Sequence, residues 1–176
     1  MQNSKSLFIA LIVIAALSRL MPHPDNFTAM GAVALFAGST LRRYSALLIP
    51  VLALFLSDLL INNIIYNTGG FTLFTSGFAY FAGAYVLIAL LGRTLQRQST
   101  GSVLAYSIVS ALVFFLISNF GVWISGIMYP KTTAGLLMAY EMAIPFLRND
   151  IIGTAIFSVA IFGAFNWLKE RNAIRA

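Results

Sequence analysis

Arg19-Leu20-Met21-Pro22-His23-Pro24-Asp25-Asn26-Phe27-Thr28 decides how this chain folds. Pro22 and Pro24 have no N–H to donate, and each pushes the residue before it out of the α region, so no helix continues through the stretch. Apolar runs lie on both sides of it, at residues 7–17 and 29–41. The chain therefore leaves one apolar helix, turns through polar residues and enters another. The turn carries Arg19, Asp25, Asn26 and the only histidine of the sequence, His23.

Composition says what the turn is embedded in. Hydrophobic residues make up 60% of the 176 residues and charged residues 9%, against about 25% charged in a soluble domain. The reading is an all-α integral membrane protein, a single transmembrane domain over residues 1–176 with no appended soluble domain. The first apolar run has the length of a signal peptide, but no small-x-small cleavage pattern precedes a soluble region, so it is read as a helix. Without cysteine, disulfides, thiolate metal sites and cysteine nucleophiles are excluded. The net charge of +6 sits at the ends of apolar runs, which makes it a topology signal; membrane lipid, and no nucleic acid, is the expected partner.

Six apolar runs follow one another, at residues 7–21, 29–41, 44–61, 77–91, 102–118 and 151–168. A span usually needs about 20 residues, so the first, second and fourth are short and the second is compatible with a re-entrant segment. With a cytoplasmic N-terminus, Lys5, Arg42, Arg43, Arg93, Arg97, Lys169, Arg171 and Arg175 fall inside, and Arg19, Lys131 and Arg148 fall outside. That bias predicts a multi-pass six-helix transmembrane bundle with both termini cytoplasmic. Tyr44 and Trp167 near the inner ends, and Trp123, Tyr129 and Tyr140 near the outer ends, suit interfacial belts.

The same topology gathers Arg19, His23, Asp25, Asn26, Asp58, Asn62, Asn63, Asn67, Asn119, Lys131, Glu141, Arg148, Asn149 and Asp150 into one outer polar layer and leaves Glu170 inside. An outward-facing pocket is the consequence. Residues 62–76 and 119–150 are expected as long outer loops, with 132–147 forming a lid or an interfacial helix because Glu141 and Pro145 oppose a further span.

Asp58 is the carboxylate most in need of explanation, since a charge near a span end is costly unless paired or wetted. It either contacts a ligand, together with Asn62 four residues on, or forms a structural ion pair with Arg19 that pins the first helix to the third. His23 is a hydrogen-bonding, titrating or ligating group. Asn119, Trp123 and Tyr129, with Gly126, supply amide and aromatic contacts for an amphipathic ligand. No HExxH, GxSxG or Ser-Lys pattern supplies a catalytic centre. Asp25, Glu141 and Asp150 remain as acid or base candidates. The small residues Ala34 and Gly38, with Gly31, Ala32 and Ala37, permit close helix packing, within the chain or against a partner.

The motifs Ser18 to Thr28 running into Gly31-Ala32-Val33-Ala34-Leu35-Phe36-Ala37-Gly38, then Ser57-Asp58, Ser118-Asn119-Phe120-Gly121-Val122-Trp123, Met128-Tyr129-Pro130 and Ile144-Pro145-Phe146 resemble a family of small bacterial six-helix membrane proteins. That family is similar to the substrate-binding S-components of energy-coupling-factor vitamin transporters, closest to the solitary cobalamin-binding ones. The resemblance implies a bacterial inner-membrane location, a pocket under the loops after the first, third and fifth helices, and uptake of a vitamin, with an energising transporter module or alone. Two features depart from the pattern. The Ala-xxx-Ala motif that many S-components present to that module is missing, since Ala10 is followed by Ile14. The cysteine with which some cobalamin-binding relatives ligate cobalt is also missing, which leaves His23 as the metal ligand if cobalt is ligated.

The expected function is thus membrane-embedded binding and uptake of a vitamin-like molecule, cobalamin first, as substrate and not as cofactor. The rivals are an integral-membrane enzyme using Asp58, Glu141 or Asp150, and a structural subunit that docks through Ala34 to Gly38.

Overall fold

A computed structural model describes residues 2–41, 44–66 and 69–174. Arg42, Arg43, Asn67 and Arg175 lie outside these residues, and the side chain of Lys5 is likewise not described. Among the described residues there are six α-helices and no strand: α1 Gln2–Leu20, α2 Met30–Thr40, α3 Ser45–Leu60, α4 Phe78–Arg93, α5 Thr100–Ser125 and α6 Thr133–Ile174. The end of α3 passes directly into a π-helical turn over Ile61–Ile65. Three stretches, Ser45–Ile65, Thr100–Ser125 and Thr133–Arg171, are long and apolar enough to cross a membrane. Shorter apolar helices cover Ser6–Leu20, Met30–Thr40 and Phe78–Gly92.

The stops are local. Pro22 and Pro24 follow α1, and Gly126 closes α5 at φ 69°, a left-handed conformation that glycine adopts without a Cβ penalty. Ser99 starts α5 by accepting from the Ser102 N–H at 3.3 Å, one of the four donors a helix start leaves unpaired.

The long outer loop expected over residues 119–150 is not formed. α5 runs on to Ser125, carrying Asn119 and Trp123 in its last turns, and α6 is a single 42-residue helix with Pro145 inside it. Residues 132–147 are therefore not a separate lid. Proline removes one backbone hydrogen bond and crowds the turn before it, and packing outweighs that here. α5 and α6 lie against each other along their lengths, the Tyr140 hydroxyl donates to Leu116 O at 2.8 Å, and the Phe115 and Tyr140 rings lie 5.5 Å apart. Glu141, the other objection to a continuous helix, points its charge to the exposed side.

α2 is the centre of the bundle and touches all five other helices. It is apolar all round, Met-Gly-Ala-Val-Ala-Leu-Phe-Ala-Gly, and every residue of Met30 to Gly38 is buried, as expected for a helix with no polar face. Small residues set its distance to α4: a Cβ at Gly38 would collide with the Ala89 carbonyl, and one at Gly92 with the Leu35 carbonyl. The Ala34 to Gly38 face is thus spent on α4, and the reading of it as a docking face for a partner is excluded. On the opposite side Phe36 meets Phe162 and Phe165 edge-on, with ring centroids 5.0 and 5.1 Å away. Thr154 lies on Gly31, where a Cβ would come within 2.6 Å of its Oγ1.

Candidate functional site

At the end of the bundle where α1, α3 and α5 finish and α2, α4 and α6 begin, the chain forms a half-open cavity of about 870 Å³. Its walls come from α1, the 21–28 turn, the end of α3, the 69–77 segment, α4, α5 and the first half of α6, and no residue of α2 lines it. The reason is length. Eleven residues of helix rise only about 16 Å, so α2 stops short of this end and the turn through Pro22 and Pro24 covers only part of the space above it. The volume is in the range of sites for drug-sized molecules, about 300–1,000 Å³.

Arg19, in the last turn of α1, and Asp58, near the end of α3, both line the cavity. Arg19 Nη1 stands 2.7 Å from Asp58 Oδ1, donates to Leu54 O at 3.3 Å and also reaches Ser57 Oγ. Asp58 Oδ2 accepts from Thr75 Oγ1 at 2.9 Å, and Thr75 Oγ1 in turn accepts from Asn62 Nδ2 at 2.8 Å. Both carboxylate oxygens are taken, so a buried charge whose side chain is 5% exposed is neutralised and hydrogen-bonded, the condition for its tolerance in an apolar bundle. The pair joins α1 to α3, and the Thr75 and Asn62 links join α3 to the segment before α4.

That segment is held a second time. Asn63 donates from Nδ2 to Thr72 O at 2.8 Å and accepts at Oδ1 from the Thr72 N–H at 2.7 Å, the two-point bond of a strand pair made by one side chain. It also donates to Leu59 O, in the stretch where the α-helix widens into the π turn. A π turn places an extra residue in the helix, and here it brings Asn62 and Asn63 to face the segment together.

The remaining residues singled out from sequence divide clearly. His23, Asn26, Asn62, Asn119 and Tyr129 line the cavity with Arg19 and Asp58. The Nδ1 of His23 faces Pro24 O at 2.7 Å; a carbonyl can only accept, so Nδ1 donates and Nε2 is the ring atom left for a ligand. No group of three or more His, Asp or Glu that could hold a metal ion occurs among the described residues. Asn26 turns the chain at φ 62°, a conformation asparagine tolerates better than most residues. Asn119 spends its amide N–H on Phe115 O of its own helix, 2.7 Å away, and keeps its carbonyl oxygen.

Trp123 is the exception, because it does not line the cavity. Its indole N–H is shared between Pro130 O at 3.1 Å and Thr132 O at 3.2 Å, so it fastens the short 126–132 connection to α5. The cause is the continuation of α5. A residue four beyond Asn119 on one helix stays on its side of the bundle but lies one turn further out.

Two groups of the cavity wall escaped the sequence reading, and a third, Asp150, entered it only as a polar-layer carboxylate and an acid or base candidate. Phe81, Tyr85 and Phe114 form an aromatic wall, with Tyr85 and Phe114 stacked at 4.8 Å. Thr75 closes the polar chain. Asp150 lines the cavity from α6, 7% exposed; Thr154 Oγ1 donates to its Oδ1 at 3.0 Å, while Oδ2 has no partner. The signal for Asp150 was present as Asp150 and Thr154 four apart, but it reads as one helix face only once α6 is known to start well before residue 150. Glu141, by contrast, is exposed and outside the cavity.

The family model for DUF6580, described as a family of unknown function, matches residues 1–175, and the chain belongs to that family. No curated protein and no solved structure matches it.

Proposed function

We propose that this member of DUF6580 is a membrane-embedded receptor that binds a vitamin-like small molecule and passes it inward. The observation that supports it most directly is the cavity itself: one half-open space of about 870 Å³ shared by Arg19, His23, Asn26, Asp58, Asn62, Asn119 and Tyr129. Its walls combine an aromatic side with fixed polar groups, the composition by which small-molecule sites set both affinity and orientation. Cobalamin is the first candidate because of the S-component resemblance, and His23 Nε2 is the atom that would meet its cobalt. In this reading the six helices all pass through the bilayer, with both ends cytoplasmic and the cavity opening outward. The short α1, α2 and α4 pack inside a locally thinned membrane.

Two observations weigh against the rivals. Of the three carboxylates an outer-leaflet enzyme would use, Glu141 lies outside the cavity and both oxygens of Asp58 are occupied, which leaves Asp150 alone of the three with an unpartnered oxygen at the cavity wall. The small-residue face a structural subunit would present is buried against α4.

Titration of the purified protein with cobalamin, read by absorption of the corrin, is the direct test; saturable binding with a defined stoichiometry is expected. Absence of saturable binding, together with failure of the gene to rescue uptake in an auxotroph, would refute the cobalamin assignment. Orientation is tested separately. The cysteine-free chain accepts single cysteines at Ser99 or at Lys131, and a membrane-impermeant maleimide applied to intact cells is expected to label the second alone.

A further inference from the structure

Asp150 is a carboxyl group the bundle has left half-partnered. Its Oδ1 is held by Thr154, Oδ2 is without a hydrogen-bond partner, and the side chain is more than nine-tenths buried. No lysine or arginine of the described residues is within ion-pair distance of it, because the guanidinium that shares its cavity, Arg19, is engaged by Asp58. Arg148, two residues before it, is exposed and outside the cavity. The cavity wall sets the one guanidinium of Arg19 against three carboxyl groups, those of Asp25, Asp58 and Asp150. Ser158 Oγ, the other unpartnered buried side-chain atom among the described residues, lies two turns along α6 and does not belong to the cavity wall.

A buried carboxylate needs a partner, and Thr154, lying against Gly31 in the first turn of α2, supplies one hydrogen bond beside a helix end whose partial positive charge favours an anion. The group is thus one partner short at the wall of the cavity it lines. The same cavity is lined by the rings of Phe81, Tyr85 and Phe114, and aromatic faces attract cations as well as flat apolar groups. Resting on the receptor reading above, we infer that the molecule this cavity takes carries a cationic nitrogen, which pairs with the Asp150 carboxyl group, next to a planar or apolar body that lies on the aromatic wall. The inference cuts against cobalamin, whose periphery offers amides and no ammonium.

Pairs of compounds that share a skeleton and differ in charge test it. Pyridoxamine is compared with pyridoxine, and choline with 3,3-dimethylbutan-1-ol, with cobalamin as a separate arm, all by calorimetric titration of the purified full-length protein and of its Asp150→Asn variant. The cationic member of at least one pair is expected to bind tenfold or more tightly than its neutral twin. In Asp150→Asn that preference is expected to fall to within twofold, with no loss of thermal stability in the ligand-free protein, since an unpaired buried charge has been removed. A structural role for Asp150 would instead lower that stability. Equal binding within both pairs, or a preference that survives in Asp150→Asn, overturns the inference and leaves the receptor reading standing as long as any compound, cobalamin included, binds saturably. No saturable binding by any of the five overturns both. Should Asp150→Asn fail to fold, the charge preference of the unaltered protein across the two pairs decides the matter.

Discussion

Removing Arg19 should cost the fold more than removing Asp58, although the two form one ion pair. The asymmetry follows from what each loss leaves behind. In Arg19→Met the carboxylate of Asp58 stays where it is, 5% exposed, with the Thr75 hydroxyl as its one remaining donor. Stranding one member of a buried pair costs about 3–5 kcal/mol, and the retained hydrogen bond places this case at the low end, about 3 kcal/mol. In Asp58→Asn the survivor is Arg19, whose side chain is 21% exposed to the cavity and still has Leu54 O and Ser57 Oγ as acceptors. The cost there is about 1–2 kcal/mol, that of a weakened hydrogen-bond set. The double variant strands nothing, so it should be more stable than Arg19→Met alone, with a coupling energy of about 2 kcal/mol between the sites. Reversible unfolding in mixed micelles by dodecyl sulfate titration, followed by far-UV circular dichroism, measures all four proteins. Refutation would take the form of a double variant at least as destabilised as the sum of the singles, or of Asp58→Asn proving the worse single change.

Three further outcomes are expected. Gly38→Ala drives a methyl into the Ala89 carbonyl, and because backbone cannot step aside as a side chain can, the loss should reach about 3 kcal/mol, visible as loss of a monodisperse peak in size-exclusion chromatography. Asn63→Ala removes both bonds to Thr72 but no core packing; hydrogen exchange at residues 69–76 should rise at least tenfold while the global unfolding midpoint moves little. Trp123→Phe deletes the shared N–H to Pro130 and Thr132 at a cost of about 1 kcal/mol, and, since the indole lies outside the cavity, ligand affinity in the titrations above should be unchanged.

The helical class and the composition of the cavity end were legible in the sequence for physical reasons that act locally. Proline after residue 21, glycine at 77 and 126, and uninterrupted apolar runs are signals that a short window contains. The grouping of Arg19, His23, Asn26, Asp58, Asn62 and Asn119 followed from alternating helix direction, which sends every second connection to the same end. What was not legible depended on contacts made elsewhere. Whether Pro145 ends a helix is decided by Tyr140, Phe115 and Leu116 on a different segment, and so is the side on which Trp123 falls. The aromatic wall was hidden for a related reason: Phe81, Tyr85 and Phe114 sit in long apolar runs where nothing in the order of residues separates a ring facing a cavity from one facing lipid.

The second apolar run links these two kinds of information. From sequence it was too short for a span, which left open whether it crossed, re-entered or packed inside. The structure turns the shortness into a function of position. A helix of 11 residues falls about 14 Å short of a hydrocarbon core about 30 Å thick, and this one is enclosed by five others, so its missing length is exposed to protein and not to lipid. At the end away from the cavity Gly38 and Gly92 lock α2 against α4 backbone to backbone, and at the cavity end no residue of α2 reaches the wall. The space above Met30 is then roofed by the 21–28 turn, whose two prolines keep it from winding another turn of helix into the gap. The same glycines and prolines that define the fold therefore also define an opening into which Asp58 is braced by Arg19 and Asp150 is left with a free oxygen.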